Sequence, residues 1–383
     1  MIRGYVIADI HFGAISSKDL YKDLRRTFLK QIREDEENID LVVIAGDLLD
    51  HKISFNSEIS RTCINFIMDL YRLAKKKDFK IRILKGTKNH DLDQLNNFLY
   101  LEKRTDVDFK IINVLQSEVI DGYDVLYIPE EYMEDPKSYY NFGKLKFDIC
   151  FLHGTFNHVE FTSKTITSEK VISTAPIFSY EQFKSLVRGP VICGHIHIHS
   201  EYKKKIFYVG SFERWKFGEE EPKGYCRFIV NDDKTYEVEF IKNKYAKKYI
   251  TVNIDDINFD DSKSLEKKIN EIQEFKTKKK IDHLRLNVNK NLYENLADLT
   301  IMKKFFTEEE ANDIKLSISN NSITRKDDDE DNELEKIYSF ALNNEYGTDP
   351  SGIAKTVSKY SEIHDNIKIS EKIIEPLLIE EED

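Results

Sequence analysis

No uninterrupted apolar run in this chain approaches the ~20 residues that a membrane-spanning helix needs. Its four cysteines, Cys63, Cys150, Cys193 and Cys226, show no C-x-x-C spacing, and three lie in apolar contexts. They read as reduced core thiols in a cytoplasmic protein. The phosphate-loop pattern G-x-x-x-x-G-K-S/T is absent, so any ATP would be handled by another subunit. No internal repeat is visible. The opening segment, Met1 to Ala8, reads as a strand and not as a signal peptide.

What remains is a chain of 383 residues, 33% charged, 40% hydrophobic and 12% aromatic. That length suggests two or three domains, and that composition suggests a soluble globular class. The formal net charge of −11 speaks against nucleic acid only on its face. Much of the acid lies in Asp327 to Asp331 and Glu380 to Asp383, whereas Lys75–Lys77, Lys203–Lys205 and Lys278–Lys280 form basic runs elsewhere. Bound cations would offset further local acidity.

From Met1 to about Lys242, short β-branched runs alternate with helical stretches. Tyr5–Ala8, Leu41–Ala45, Lys80–Leu84, Phe147–Leu152, Val191–Cys193, Phe207–Val209 and Tyr225–Val230 read as strands. Leu20, Leu24, Phe28 and Ile32 share one helical face, as do Ile59, Cys63, Ile67 and Leu70. The pattern predicts layered α/β with mixed sheets. After about Lys248 a smaller α+β texture follows: strands at Tyr249–Ile254 and His283–Val288, a helix from Lys263 to Glu274 and a short one near Met302. Residues 320–332 read as an acidic linker, and short helices follow around Leu334 to Ala341 and Ile353 to Tyr360.

Five blocks of metal-ligand candidates fall where strands end: Asp9-x-His11, Gly46-Asp47-x-x-Asp50, Asn89-His90-Asp91, His153-Gly154 and Gly194-His195-x-His197. Loops from several strands converge at the carboxyl edge of such sheets, which is where ligands gather. A carboxylate closing an apolar strand, as Asp47 does, needs a partner, and a metal would serve. A helix N-cap would also satisfy it. The alternation His195, His197, His199 is open to a second reading as a solvent-facing strand edge. His51, His158, His283 and His364 have no such context and read as surface or packing residues.

The order D-x-H, G-D-x-x-D, N-H-D, H-G and G-H-x-H resembles that of the calcineurin-like metallophosphoesterases. Within them, Gly210-Ser211-Phe212-Glu213-Arg214-Trp215-Lys216-Phe217-Gly218, with Pro222-Lys223-Gly224-Tyr225, is similar to the segment closing the nuclease domain of SbcD-type recombination nucleases. These are relatives of the meiotic-recombination-eleven nuclease. The resemblance covers the chain to about residue 245 and implies a four-layer αββα sandwich. A small α+β capping domain (246–319, DNA recognition), the linker (320–332) and C-terminal helices (333–383) match it in layout.

Carried over, the resemblance implies that Asp9 and His11 bind a first metal, Asp47 bridges both metals, Asn89, His153 and His195 bind the second, and His197 returns to the first. His90 would be a catalytic histidine that is not a ligand, oriented by the Asp50 carboxylate. One departure stands out: the family's G-N-H-D is interrupted, because Gly86-Thr87-Lys88 precedes Asn89. Lys88 and Arg214 are expected substrate contacts.

Two cations about 3.5–4 Å apart would activate a bridging water for in-line attack on phosphorus. His90, as imidazolium, would protonate the leaving sugar oxygen. The resemblance implies two Mn2+, 3′-to-5′ exonuclease action on duplex DNA, endonuclease cuts in single strands, and a role in recombination and repair. It also implies a homodimer and an SMC-like ATPase partner, SbcC, bound through the C-terminal helices. The alternative is another phosphoesterase of the superfamily, acting on phosphoproteins or small diesters. Scarce glycine (14) and proline (7), with abundant Lys, Asn, Ile and Tyr, fit an AT-rich genome such as that of a phage or low-GC bacterium.

Overall fold

A computed structural model of the chain describes residues 1–133, 135–143, 145–157, 176–254, 262–288 and 314–318. The expected helix near Met302, the acidic linker and the C-terminal helices lie outside these residues. The strands, in chain order, are β1 (Ile2–Ile7), β2 (Leu41–Ala45), β3 (Lys80–Leu84), β4 (Phe109–Ile112), β5 (Gln116–Ile120), β6 (Tyr123–Ile128), β7 (Ile149–His153), β8 (Thr155–Phe156), β9 (Ile177–Phe178), β10 (Val191–Gly194), β11 (Ser200–Tyr202), β12 (Ile206–Tyr208), β13 (Gly224–Val230) and β14 (Tyr236–Lys242). The principal helices between them are α1 (Ser17–Arg26), α2 (Phe28–Glu34), α3 (Glu58–Lys77), α4 (Leu99–Glu102), α5 (Pro136–Tyr139) and α6 (Tyr180–Leu186).

Two six-stranded mixed sheets result, ordered β14-β13-β1-β2-β3-β4 and β11-β12-β10-β7-β6-β5. The inner strands are parallel and buried on both faces, so β2 and β7 read as unbroken apolar runs and not as alternations. Val6, Val43, Tyr127, Phe151, Ile192 and Phe228 form a core shared by the two sheets. On the far side of the first sheet, Leu20, Leu24, Phe28 and Ile32 pack with Phe66 and Leu70 of α3. Beyond the second, Phe183 and Leu186 of α6 pack on Cys150, Cys193 and Tyr208. These contacts make the α/β/β/α layering that the resemblance implies.

One expected helical face is in fact two helices. The chain breaks at Thr27 (φ −122°, ψ −87°), between α1 and α2, yet all four apolar residues stay buried. The Thr27 hydroxyl donates to the Asp23 carbonyl at 2.6 Å, a local bond that competes with helix continuation.

Later in the chain, β15 (Tyr249–Ile254), α7 (Ser262–Lys279), β16 (His283–Val288) and β17 (Ile314–Ile318) follow, the strands forming a sheet ordered β15-β16-β17. Lys278 and Lys279 close α7, and Lys280 takes a left-handed turn (φ 52°) between it and β16. The chain divides into two compact units, one comprising Met1–Val252, Glu266–Arg285 and Thr307–Lys315, the other the intervening and following segments.

Arg82 of β3 is a charge buried in the first unit. Its guanidinium binds Glu118 of β5 through two nitrogens (2.6 and 3.0 Å) and Asp108 at 3.1 Å, and the Tyr127 hydroxyl donates to Glu118 at 2.9 Å. These bonds tie an outer strand of the second sheet to the first. Arg82→Met should cost about 3 kcal/mol or more in denaturant unfolding, because Glu118 and Asp108 lose the buried guanidinium that binds both. Burial alone would raise the Glu118 carboxyl, but Arg82 and Lys110 depress it from 4.5 to about 2. A depressed acid stabilises fully above its unfolded value and loses that contribution as it is protonated. Stability should therefore fall between pH 4.5 and about 2, and Glu118→Gln should flatten that limb of the pH–stability curve.

Candidate metal centre

The carboxyl ends of β1, β2 and β3 in one sheet meet those of β6, β7 and β10 in the other, and the predicted blocks sit on the turns that leave them. Main-chain bonds knit the first two exits: Ile10 N–H to Asp47 C=O (2.9 Å) and His11 N–H to the same oxygen (3.1 Å). Asp9, His11, Asp47 and His195 all hold positive φ (49°, 51°, 52° and 92°), a backbone region that non-glycine residues rarely adopt. Such strain persists only where the surroundings fix it, and it clusters at functional sites.

Three groups of side chains converge with one donor atom each within 4.8 Å of the others: Asp9, His11 and His197; His11, Asp47 and His90; Asp47, His153 and His195. The Asp47 carboxylate joins them. Its Oδ2 lies 3.6 Å from His11 Nε2 and 3.2 Å from His153 Nε2. Asp9, His11, Asp47 and His153 are all fully buried. Both ring nitrogens of His11 are buried without a hydrogen-bond partner among the described residues, a condition a cation would relieve.

The outer contacts fix how the imidazoles point. His153 Nδ1 faces the Ala45 carbonyl at 2.8 Å, and a carbonyl only accepts, so Nδ1 carries the proton and Nε2 presents its lone pair to the cluster. The Asp9 carboxylate accepts the His195 N–H at 2.9 and 3.1 Å. Asp91 accepts from the amides of Asp47 (3.1 Å), Leu49 (3.1 Å) and Gly86 (2.8 Å), binding the exits of β2 and β3 together. Glycine is required beside these contacts. At Gly46 (φ 89°) a Cβ would lie 2.1 Å from His153 Nδ1, and at Gly86 one would lie 2.1 Å from Asp47 Oδ1.

Without a cation the electrostatics are divided. Burial raises the Asp9 carboxyl to about 6, against the pull of His153 and His11. Burial, together with the Asp47 charge, raises Asp91 to about 6. For Asp47, burial is overcome by His153 and His11, which hold it well below the usual range. Burial and the neighbouring His11 push His197 well down.

Not every predicted residue arrives as expected. Asn89 is exposed, and Thr87 stands in the cluster instead, its hydroxyl 3.1 Å from Asp47 Oδ2, 3.3 Å from His153 Nε2 and 3.4 Å from His195 Nδ1. The insertion therefore lies after Thr87, and Gly86 keeps its place against Asp47. Asp50 reaches His90 through its main-chain carbonyl, which accepts from His90 Nδ1. Its carboxylate turns to His51 (2.9 Å) and His11 (3.4 Å) instead. Asp47 does not cap a helix; Ser57 caps α3. Nor do His195 and His197 lie on a strand edge, because β10 ends at Gly194.

Arg214 is spent on main-chain carbonyls, those of Lys247 (3.1 Å), Ala246 (3.5 Å), Glu221 (2.7 Å) and Glu220 (3.3 Å), which makes it a clamp between its own loop and the segment after β14 and not a substrate contact. Lys205, the last of the basic run Lys203–Lys205, is likewise buried, donating to the carbonyls of Val187, Arg188 and Gly189 (2.5, 3.1 and 2.5 Å). Lys88 is exposed, its amine 5.8 Å from the Tyr132 ring.

Three contributors to the centre have no role assigned by their motifs in the sequence. Trp215 packs its ring on His11 (4.1 Å) and His197 (4.4 Å). Buried Lys223 donates to the His197 carbonyl at 3.1 Å and to Ser211 Oγ at 2.8 Å, so the Gly210–Gly224 segment holds His197 in place. Glu130, two residues beyond β6, buries a carboxylate beside His195 (3.3 Å) and His153 (3.7 Å). An apolar strand closing on a carboxylate, the signal that singled out Asp47, was present there too.

The family profile for calcineurin-like phosphoesterases matches residues 2–337, and the chain belongs to that family. A similar protein is "Putative phosphoesterase 244L" of Invertebrate iridescent virus 6, 26% identical over 257 residues that span 62% of this chain and 79% of the viral one. Among solved structures, one matches with a TM-score of 0.37 at 13% identity, covering 62% of this chain and 98% of its own. AQ665 of Aquifex aeolicus, a protein of unknown function, matches with a TM-score of 0.26 at 15% identity, covering 55% and 90%. The family uses divalent metals, and the mixed imidazole and carboxylate donors here suit a divalent cation of intermediate hardness. Among the described residues no helix is long and apolar enough to cross a membrane.

Asp91 offers a direct check on this architecture. Asp91→Ala strands three buried amides, each worth about 1–3 kcal/mol, so urea unfolding should show a loss of about 3 kcal/mol or more.

Proposed function

We propose that this phosphoesterase is a two-metal DNA nuclease, cleaving phosphodiesters with His90 as general acid. The observation that carries the metal chemistry is the pair of triads, Asp9-His11-His197 and Asp47-His153-His195, buried but for a part-exposed His195, with Asp47 between them. Two ions, Mn2+ on this reading, would supply an activated water and neutralise charge on the phosphoryl group.

The chain's own residues do the rest. His90 Nδ1 is engaged by the Asp50 carbonyl, so proton exchange with a leaving oxygen falls to Nε2. Its ring stands edge-on to His11, centroids 4.6 Å apart, which places it at the cluster without making it part of either outer triad. Trp215 and the Gly210–Gly224 segment wall the first triad and limit water there. The same segment supports DNA as substrate through its likeness to SbcD-type nucleases. Lys88, exposed beside Thr87, suits a backbone phosphate, a contact that positions without reading sequence. On this reading the protein pairs with itself through the nuclease domain and with an SMC-like ATPase through residues 333–383, acting in recombination and repair in the cytoplasm.

The test is Mn2+-dependent release of nucleotides from 3′-labelled duplex DNA. His90→Ala should slow it by about 10²–10⁴-fold while retaining bound Mn2+. Hydrolysis of a bis-aryl phosphodiester, whose phenolate leaves without a proton, should fall far less. Cleavage of the small diester with DNA left intact, even beside an SbcC-like ATPase, would move the assignment to a small-molecule or protein phosphatase.

A further inference from the structure

The second triad has a member that no motif assigns. Glu130 follows β6 and Pro129, and its side chain is 98% withdrawn from solvent, with a relative exposure of 2%. Oε1 accepts from the Tyr132 hydroxyl, and the Glu130 amide donates to the Lys85 carbonyl at 3.1 Å, so the side chain is held in one orientation. Oε2 is buried and accepts no hydrogen bond among the described residues. It lies 3.3 Å from His195 Nδ1 and 3.7 Å from His153 Nε2, the latter 3.2 Å from Asp47 Oδ2. A buried carboxylate oxygen without a donor costs several kcal/mol. Here it is aimed into a pocket already lined by Asp47, His153 and His195, with the Thr87 hydroxyl 3.1–3.4 Å from each of those three.

We propose that Glu130, with the Thr87 hydroxyl beside it, completes the cation site of Asp47, His153 and His195, and that Asn89 takes no part in it. This rests on the two-metal reading and refines it. The geometry has a simple origin. Gly86 presses on Asp47, so the residue that follows it, Thr87, enters the cluster, and Lys88 and Asn89, the two positions added before His90, stand exposed to solvent. A threonine hydroxyl is a poorer donor to a cation than an amide oxygen, and a carboxylate from the other sheet makes up the deficit. The site then carries two anionic ligands in place of one, which favours a hard divalent ion such as Mn2+ or Mg2+ and strengthens its retention.

The experiment counts ions. Chelator-stripped wild type, Glu130→Gln, Glu130→Asp and Asn89→Ala are titrated with Mn2+, free Mn2+ being read by its paramagnetic resonance signal. Circular dichroism and melting checks confirm that each variant is folded. Wild type and Asn89→Ala should each hold two ions per chain with the same affinities. Glu130→Gln should hold one as wild type does and bind the other at least the ~10–100-fold more weakly that loss of even an outer-shell partner brings. Glu130→Asp, which keeps the charge and shortens the reach, should fall between and carries the test if the glutamine variant does not fold. Two ions held equally by wild type and both Glu130 variants, or loss of an ion in Asn89→Ala, would overturn the assignment. A wild-type chain that holds fewer than two ions would overturn the two-metal reading itself, and Glu130's role with it, a result distinct from either of those.

Discussion

The Asp47 carboxylate, set between His11 of one sheet and His153 of the other, is the contact on which the rest of the centre depends. To bring it there, β2 must end in a left-handed turn, Gly46 must lack a side chain, and the exits of β1 and β3 must lock onto the same turn. Asp91 performs the last task by accepting three amides from those turns. The cost is a set of buried charges and strained φ values that hydrophobic packing alone would not maintain. A divalent cation resolves that conflict, because it needs the carboxylates ionised and the imidazoles neutral.

Much of the fold was legible because inner strands of a parallel sheet are buried on both faces. Leu41–Ala45 and Lys80–Leu84 match β2 and β3 residue for residue, and the later apolar runs fall on β7, β10, β12 and β13. Two of the strands that escaped were less apolar. Of β5 only Ile120 is buried, and β4 is a four-residue strand interrupted by Lys110. Missing β6 had a consequence, since Glu130 stands just beyond it. The break at Thr27 was also invisible, because two short helices keep the same face inward as one long helix would.

The site was legible to the degree that it is built from strand ends. Asp9, His11, Asp47, His153, His195 and His197 come together as the motif order implied. The insertion after Gly86 was visible, but its side could not be read from adjacency. Keeping Asn89 next to His90 looked decisive, whereas the close approach of Gly86 to Asp47 governs which residue enters. Charge type misled in a similar way at Arg214, whose guanidinium satisfies the main-chain carbonyls of Glu221 and Lys247. A basic residue near a site reads as a phosphate contact until its hydrogen bonds are counted.

Membership in the calcineurin-like family fixes the class of chemistry, and the particular donors decide how this chain practises it. The most direct test of the central claim is anomalous X-ray diffraction from crystals grown with Mn2+. Two peaks about 3.5–4 Å apart, one on either side of the Asp47 carboxylate, are the result predicted here. A single peak, or two that do not share Asp47, would contradict it.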